Sequence, residues 1–196
     1  FLDIGCVSTR PKYKKIKTEE EIERFDFFLK NINYKFKHSI DSTNINVIEE
    51  AIEADFLVIN DVSGLKDKKI INKAKSAEVG LILVHRNSSS QEIHEIKEYK
   101  DVVEEVKYQL DEKIESLISE GIKESQIAID PGLGFGKKIE DSAKLLLEVN
   151  QLCDKFPVVV GYSKKKFRNS IPLSDKDLLN FCFDSGVSLV RLHLDN

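Results

Sequence analysis

Residues 128–138 read AIDPGLGFGKK. A short apolar run ends at Asp130, Pro131 stops the strand, and a glycine-rich turn then leads into Lys137. An acid, a bare backbone and a cation are thus brought together in one loop. Two glycine-rich nucleotide loops are excluded by spacing. A P-loop needs glycine where Pro131 stands and Ser or Thr where Lys138 stands. A dinucleotide fingerprint needs G-x-G-x-x-G, whereas these glycines are spaced G-x-G-x-G behind an acid already at the strand end.

The same succession of apolar run and polar end repeats along the chain. Strand candidates are FLDIG (1–5), KHSID (37–41), FLVIND (56–61), GLILVH (80–85), QIAID (126–130), PVVVG (157–161) and SLVRLH (188–193). Most are near-continuous apolar runs, the pattern of parallel strands covered on both faces. Between them, TEEEIERFDFFLKNI carries Thr18 and Glu21 at capping-box spacing, and NINVIEEAIEA follows Asn44 as a plausible N-cap. Residues 91–120 give the longest helical candidate, followed by EDSAKLLLEVNQLCDKF and SDKDLLNFCFDSG. Seven strands with helical stretches between them predict an α/β fold with a parallel sheet. The chain opens mid-strand and contains no Met. That pattern suggests a single domain over 1–196, a (β/α)8 TIM barrel that lacks its first strand and is N-terminally incomplete. An open sheet is the alternative on pattern alone.

Composition narrows the function. With 41% hydrophobic and 33% charged residues the 196-residue chain is ordinary globular protein. A net charge of −4 argues against a nucleic-acid partner. No apolar run reaches membrane-spanning length, so no membrane partner is expected. Cys6, Cys153 and Cys182 lack metal-ligand spacing and favour a reducing, cytoplasmic setting.

In a barrel of this kind, chemistry sits on the loops after the strands. The polar residues found there are STR (8–10), Asp41, Asn60-Asp61, His85, Asp130, Ser163 with Lys165, and Arg191 with His193. Asp41, Asn60 and Asp130 offer acceptors and one amide, suited to a flat heterocycle bearing amino and ring N–H groups. Arg10, Lys165, Arg191 and His193 supply positive charge for a phosphate or pyrophosphate. Arg191 and His193 share a strand face. His38 and His85 are both interior to the pattern: the first is expected to be structural, the second to support a loop or touch a ligand.

The stretches DIGCVSTRP, SID, INDVSGL, DPGLGFGK, GYSKKKF and VRLH resemble, in order and spacing, the motifs of the dihydropteroate synthase family, from residue 1 to 193. The wider pterin-binding family, including methyltetrahydrofolate methyltransferases, shares the barrel and the pterin acids. A methyltransferase-like barrel and a degenerate, non-catalytic synthase homologue therefore remain the alternatives. The resemblance implies a transferase of folate biosynthesis, the sulfonamide target. It condenses p-aminobenzoate with 6-hydroxymethyl-7,8-dihydropterin pyrophosphate to give 7,8-dihydropteroate and pyrophosphate. It further implies that Asp41, Asn60, Asp130 and Lys165 hold the pterin, and that Thr9, Arg10, Phe135 and Ser163 surround p-aminobenzoate. Arg191 and His193 would bind pyrophosphate, with Lys165, Arg191, His193 and Asp130 carrying the catalysis. Mg2+ is the implied cofactor, its family Asn ligand lying on a strand ahead of residue 1, and a homodimer is the implied assembly. Three positions depart from the family pattern. Cys6-Val7 stands for the usual Gly-Glu, Ser163-Lys164-Lys165 for Ser-Arg-Lys, and Leu194 for the Asp after R-x-H.

Overall fold

The computed structural model describes residues 1–7, 16–32, 35–86 and 95–193. Its strands are β1 (Leu2–Ile4), β2 (His38–Asp41), β3 (Val58–Asp61), β4 (Gly80–Val84), β5 (Ile127–Asp130), β6 (Val159–Gly161) and β7 (Leu189–Arg191). The helices are α1 (Thr18–Leu29), α2 (Ile45–Glu53), α3 (Lys68–Ala77), α4 (Val102–Ser119), α5 (Ile139–Leu147) and α6 (Asp175–Asp184). β1 to β5 pair in parallel and in chain order. A single parallel bridge, Ile129 to Val158, continues the ring to β6, which pairs in parallel with β7. The fold is the expected α/β barrel, with strands following one another around it and helices outside.

The strand registers set the functional end. Asp41 lies level with Asn60, Val84 with Asp130, and Gly161 with Arg191. Polar groups from four strands therefore emerge at one rim. Two apolar cores support it. The larger fills the space between sheet and helices, with Phe25, Ile40, Ile48, Phe56, Ile59, Ile70 and Leu81 among its fully enclosed members. The smaller plugs the barrel interior with Val62, Ile82, Val84, Phe135 and Val159. Alternate residues on each strand feed the two cores, as the two-residue side-chain period requires.

Several local expectations change. Thr18 is the first helical residue of α1, not its cap; Lys17 precedes the helix and gives no side-chain cap bond. Glu21 turns inward instead, accepting from Ser42 Oγ at 2.6 Å and from Asn44 Nδ2 at 3.2 Å. A tertiary anchor has displaced the local capping box. Asn44 does cap α2, accepting from the Asn46 N–H. The predicted helix over 91–120 starts only at Val102, where Asp101 accepts from the N–H groups of Val103 and Glu104. Residues 87–94 lie outside the described residues. The predicted helix over 140–156 ends at Leu147 and gives way to a 3-10 turn over Val149–Leu152. α3, among lysines, buries only Ile70, Ile71 and Ala74, too short an apolar stripe to stand out by periodicity.

His38 is structural, as expected. It is buried at the start of β2, its ring 5.1 Å from that of Phe56, and burial lowers its pKa. Phe56 also meets Phe25 edge-on at 5.6 Å, so these aromatics fasten α1 to the sheet. Phe56→Ala should cost about 3–5 kcal/mol by urea unfolding, the range for deleting an enclosed aromatic ring. A loss below about 1 kcal/mol would show that α1 is not held by this cluster.

Candidate active site

The rim is organised around one guanidinium. Arg191 Nη1 donates to Asp3 Oδ2 at 2.9 Å and to Asp41 Oδ2 at 3.3 Å, while Nη2 lies 4.0 Å from Asp130 Oδ2. Gly161 makes room for it, since a Cβ there would stand 3.3 Å from Arg191 Nε. Burial opposes the Arg191 charge, but Asp130, Asp41 and Asp3 outweigh it and hold the side chain protonated. Asp3 is the group sequence reading missed. It sits in the middle of β1 rather than at its end, and accepts also from Ser39 Oγ at 2.7 Å and Asn60 Nδ2 at 2.9 Å. The available signal was an acid inside an otherwise apolar strand, where only an inward-facing partner makes it tolerable.

Asn60 is 1% exposed, and its amide is oriented by Asp3. Its Oδ1 has no hydrogen-bond partner among the described residues. Neighbouring Asp61 is spent locally, accepting from the N–H and Oγ of Ser63 at 2.6 and 2.7 Å. Asp130 divides its oxygens: Oδ1 accepts from Gly132 N–H at 2.7 Å, leaving Oδ2 toward Arg191.

The turn after β5 answers what its acid, glycines and lysine do together. Gly132 has φ +66°, and a Cβ there would lie 1.9 Å from His85 O, so only glycine fits. Gly134 N–H donates to Ser142 Oγ at 3.1 Å. Lys137 does not face the mouth. It turns back under the loop, 6% exposed, donating to Gly132 O at 2.9 Å and Phe135 O at 3.2 Å. Burial pulls its pKa down to about 7 against the pull of Asp130. His85, also buried, meets Lys137 Nζ through Nδ1 at 2.9 Å. Of the two roles open to it from sequence, His85 takes loop support. Burial first and Lys137 second hold its pKa well below the usual histidine range.

The remaining predicted residues fall at the rim. Lys165 Nζ donates to Leu133 O at 2.6 Å and lies 5.1 Å from the Phe135 ring centroid. Burial lowers its pKa to about 8, again opposed by Asp130. Phe135 is mostly sunk into the interior plug. Ser163 Oγ and His193 Nδ1 are 2.7 Å apart, and Ser163 Oγ accepts from His193 N–H at 3.0 Å, so these two form a pair at the outer edge. Thr9 and Arg10 lie outside the described residues. Burial pushes the Cys6 thiol up to about 11, away from the thiolate that a nucleophile needs. Two surface cavities, about 320 Å3 beside Lys107, Asp154 and Phe156 and about 530 Å3 beside Glu104 and Tyr108, hold none of the converging groups.

Asp41 is far from an ordinary carboxylate. Burial first, then Asp3, raise its carboxyl to about 7, only partly countered by Arg191. A folded-state pKa above the unfolded value of about 3.9 means that the native protein binds the extra proton. Native stability from this group therefore falls as pH rises from about 4 to about 7. Asp41→Asn, neutral throughout, should gain on the wild type between pH 5 and pH 8 in paired urea titrations. A difference constant across that window would remove the assignment.

The chain matches the family model described as pterin binding enzyme over residues 1–193. A dihydropteroate synthase of Clostridium beijerinckii is 34% identical over 169 residues, 84% of this chain. That of Streptococcus pyogenes is 30% identical over 98% of this chain and 75% of its own length. The chain spans only 60% of the Clostridium protein. Among solved structures, the Anaplasma phagocytophilum dihydropteroate synthase with bound 6-hydroxymethylpterin-monophosphate superposes with a TM-score of 0.85 at 30% identity, covering 98% of this chain and 82% of that one. The Xanthomonas albilineans dihydropteroate synthase with 4-aminobenzoic acid gives 0.83 at 29% identity, over 98% and 72%.

Proposed function

The chain belongs to the pterin-binding enzymes, and we propose that it acts as a dihydropteroate synthase. It would condense p-aminobenzoate with 6-hydroxymethyl-7,8-dihydropterin pyrophosphate to give 7,8-dihydropteroate and pyrophosphate. The observation that carries this reading is the buried, partnerless Oδ1 of Asn60, set between the carboxylates of Asp41 and Asp130. A buried acceptor left unmet costs about 1–3 kcal/mol, and a flat ring with amino and ring N–H groups relieves it. The ligands named for the Anaplasma and Xanthomonas structures are of the two classes required.

The chemistry asks little of the protein beyond placement. The arylamine nitrogen attacks the methylene carbon, the C–O bond to pyrophosphate breaks with its electron pair leaving on oxygen, and the amine releases one proton. Asp41, Asn60 and Asp130 orient the pterin. Lys165, over Phe135, stands where charge changes. Arg191 and the Ser163–His193 pair offer cationic and hydrogen-bonding groups for the leaving anion. Holding the partners in line and neutralising the departing charge accounts for such a reaction without a covalent intermediate.

Mg2+ fits this chain's own residues poorly. Among the described residues no group of three or more His, Cys, Asp or Glu is arranged to hold an ion, and Asp3 and Asp41 already share Arg191. No step is assigned to the ion. The reading also includes a homodimer and a cytoplasmic location. For the location there is the support that Cys6, Cys153 and Cys182 are free, and that no helix among the described residues is long and apolar enough to cross a membrane.

Dihydropteroate formation from the two substrates, followed by chromatography, tests the activity. Asp130→Ala should weaken pterin binding by about 2–4 kcal/mol, the loss of a charge-assisted pair at a buried site. Arg191→Ala should lower turnover while free pterin still binds. Unchanged calorimetric affinity for pterin in Asp130→Ala would remove the pterin assignment.

A further inference from the structure

Nothing in the proposed chemistry uses Lys137 or His85, yet both are buried and ionisable at the back of the site. Lys137 has three protons to donate, and three acceptors surround it: Gly132 O, Phe135 O and His85 Nδ1. In its ammonium form Lys137 offers only donors, and His85 Nδ1 is then the acceptor of that contact. The imidazole proton is then on Nε2, which donates to Gln109 Oε1 on α4 at 3.2 Å. The backbone of His85 is part of the same device. Its N–H donates to Asp130 O at 2.8 Å, and its carbonyl packs against the face of Gly132 where no Cβ fits.

We infer that Gln109, His85 and Lys137 form a positioning relay that locks the glycine turn in the form that sets Asp130 toward Arg191 and Leu133 O toward Lys165. Lys137 ties two carbonyls of the turn from beneath. Gln109, half-buried on the outer helix, fixes the imidazole tautomer that makes this possible. A turn needing only filler would take an apolar side chain there, because sinking an ammonium into the interior strips it of water before its partners are counted. The outcome reaches the mouth by short links: Gly132 N–H holds Asp130 Oδ1, and Leu133 O holds Lys165. The consequence for ligand rests on the synthase reading; the relay itself does not.

The test is therefore in two parts, on Lys137→Met, Gln109→Ala and Gln109→Glu. Hydrogen exchange on the ligand-free protein should show the amides of Gly132, Gly134 and Phe135 exchanging about tenfold faster or more in the first two variants, with β3 and β4 unchanged. Gln109→Glu, which keeps an acceptor for Nε2–H, should restore wild-type protection. Calorimetry with the pterin pyrophosphate should then show about three- to tenfold weaker binding in Gln109→Ala, the size of one lost hydrogen bond. Should Lys137→Met fail to fold, Gln109→Ala decides. Wild-type exchange in Gln109→Ala, or equal loss of protection in the Ala and Glu variants, overturns the relay. A wild-type protein that binds no pterin overturns the proposed function instead, and leaves the exchange result to judge the relay.

Discussion

Arg191 is the cation around which the acids of the rim are arranged. Its guanidinium, carried on β7, donates to Asp3 on β1. The same side chain reaches Asp41 on β2 and faces Asp130 on β5. Without it, three carboxylates would converge at one rim, and in a low-dielectric site they would not all stay ionised. The raised carboxyl of Asp41 shows how closely the cluster approaches that limit even with the cation in place. Register turns this into a geometric demand. Gly161 lies level with Arg191, and a larger residue there would crowd the guanidinium.

The turn after β5 is the second fixed point, and it is built differently. Its backbone is held by side chains from every side: Asp130 and Ser142 accept from its N–H groups, and Lys137 and Lys165 donate to its carbonyls. The chain thereby satisfies buried polar backbone in a segment that belongs to no strand or helix. A mobile loop would leave Asp130 free to follow Arg191. This one keeps the two at 4.0 Å, near enough for attraction and too far for a hydrogen bond.

Strand order and the position of the site were legible in the sequence because parallel strands write both. Apolar runs give the strands, and the polar residue closing each run gives the rim. Asp41, Asn60, Asp130 and Arg191 were found in that way. Asp3 escaped because it lies inside its run, where only the tertiary partners Ser39, Asn60 and Arg191 make an acid acceptable. The capping box at Thr18 failed for the same kind of reason, with Glu21 drawn to Ser42 across the fold. Lys137 illustrates a third limit. Its place beside the glycines was plain, but spacing along a chain says nothing about which side of a turn a flexible side chain takes. Thr9 and Arg10, which the resemblance places around p-aminobenzoate, lie outside the described residues.

The charge pattern of the rim also says what kind of ligand suits it. Arg191 is shared among acids that a pterin edge would need, so a ligand offering only N–H donors must compete with the guanidinium for Asp41. A ligand that brings an anionic tail as well changes the balance. Such a tail would attract Arg191 and Lys165, and carboxylates so relieved would accept from the ring edge. The burial that raises Asp41 to about 7 would favour this exchange, because a carboxylate short of partners gains most from new donors. Donor edge and anion would thus reinforce one another at this mouth. Under the proposed function, a pterin carrying pyrophosphate would bring both to one site.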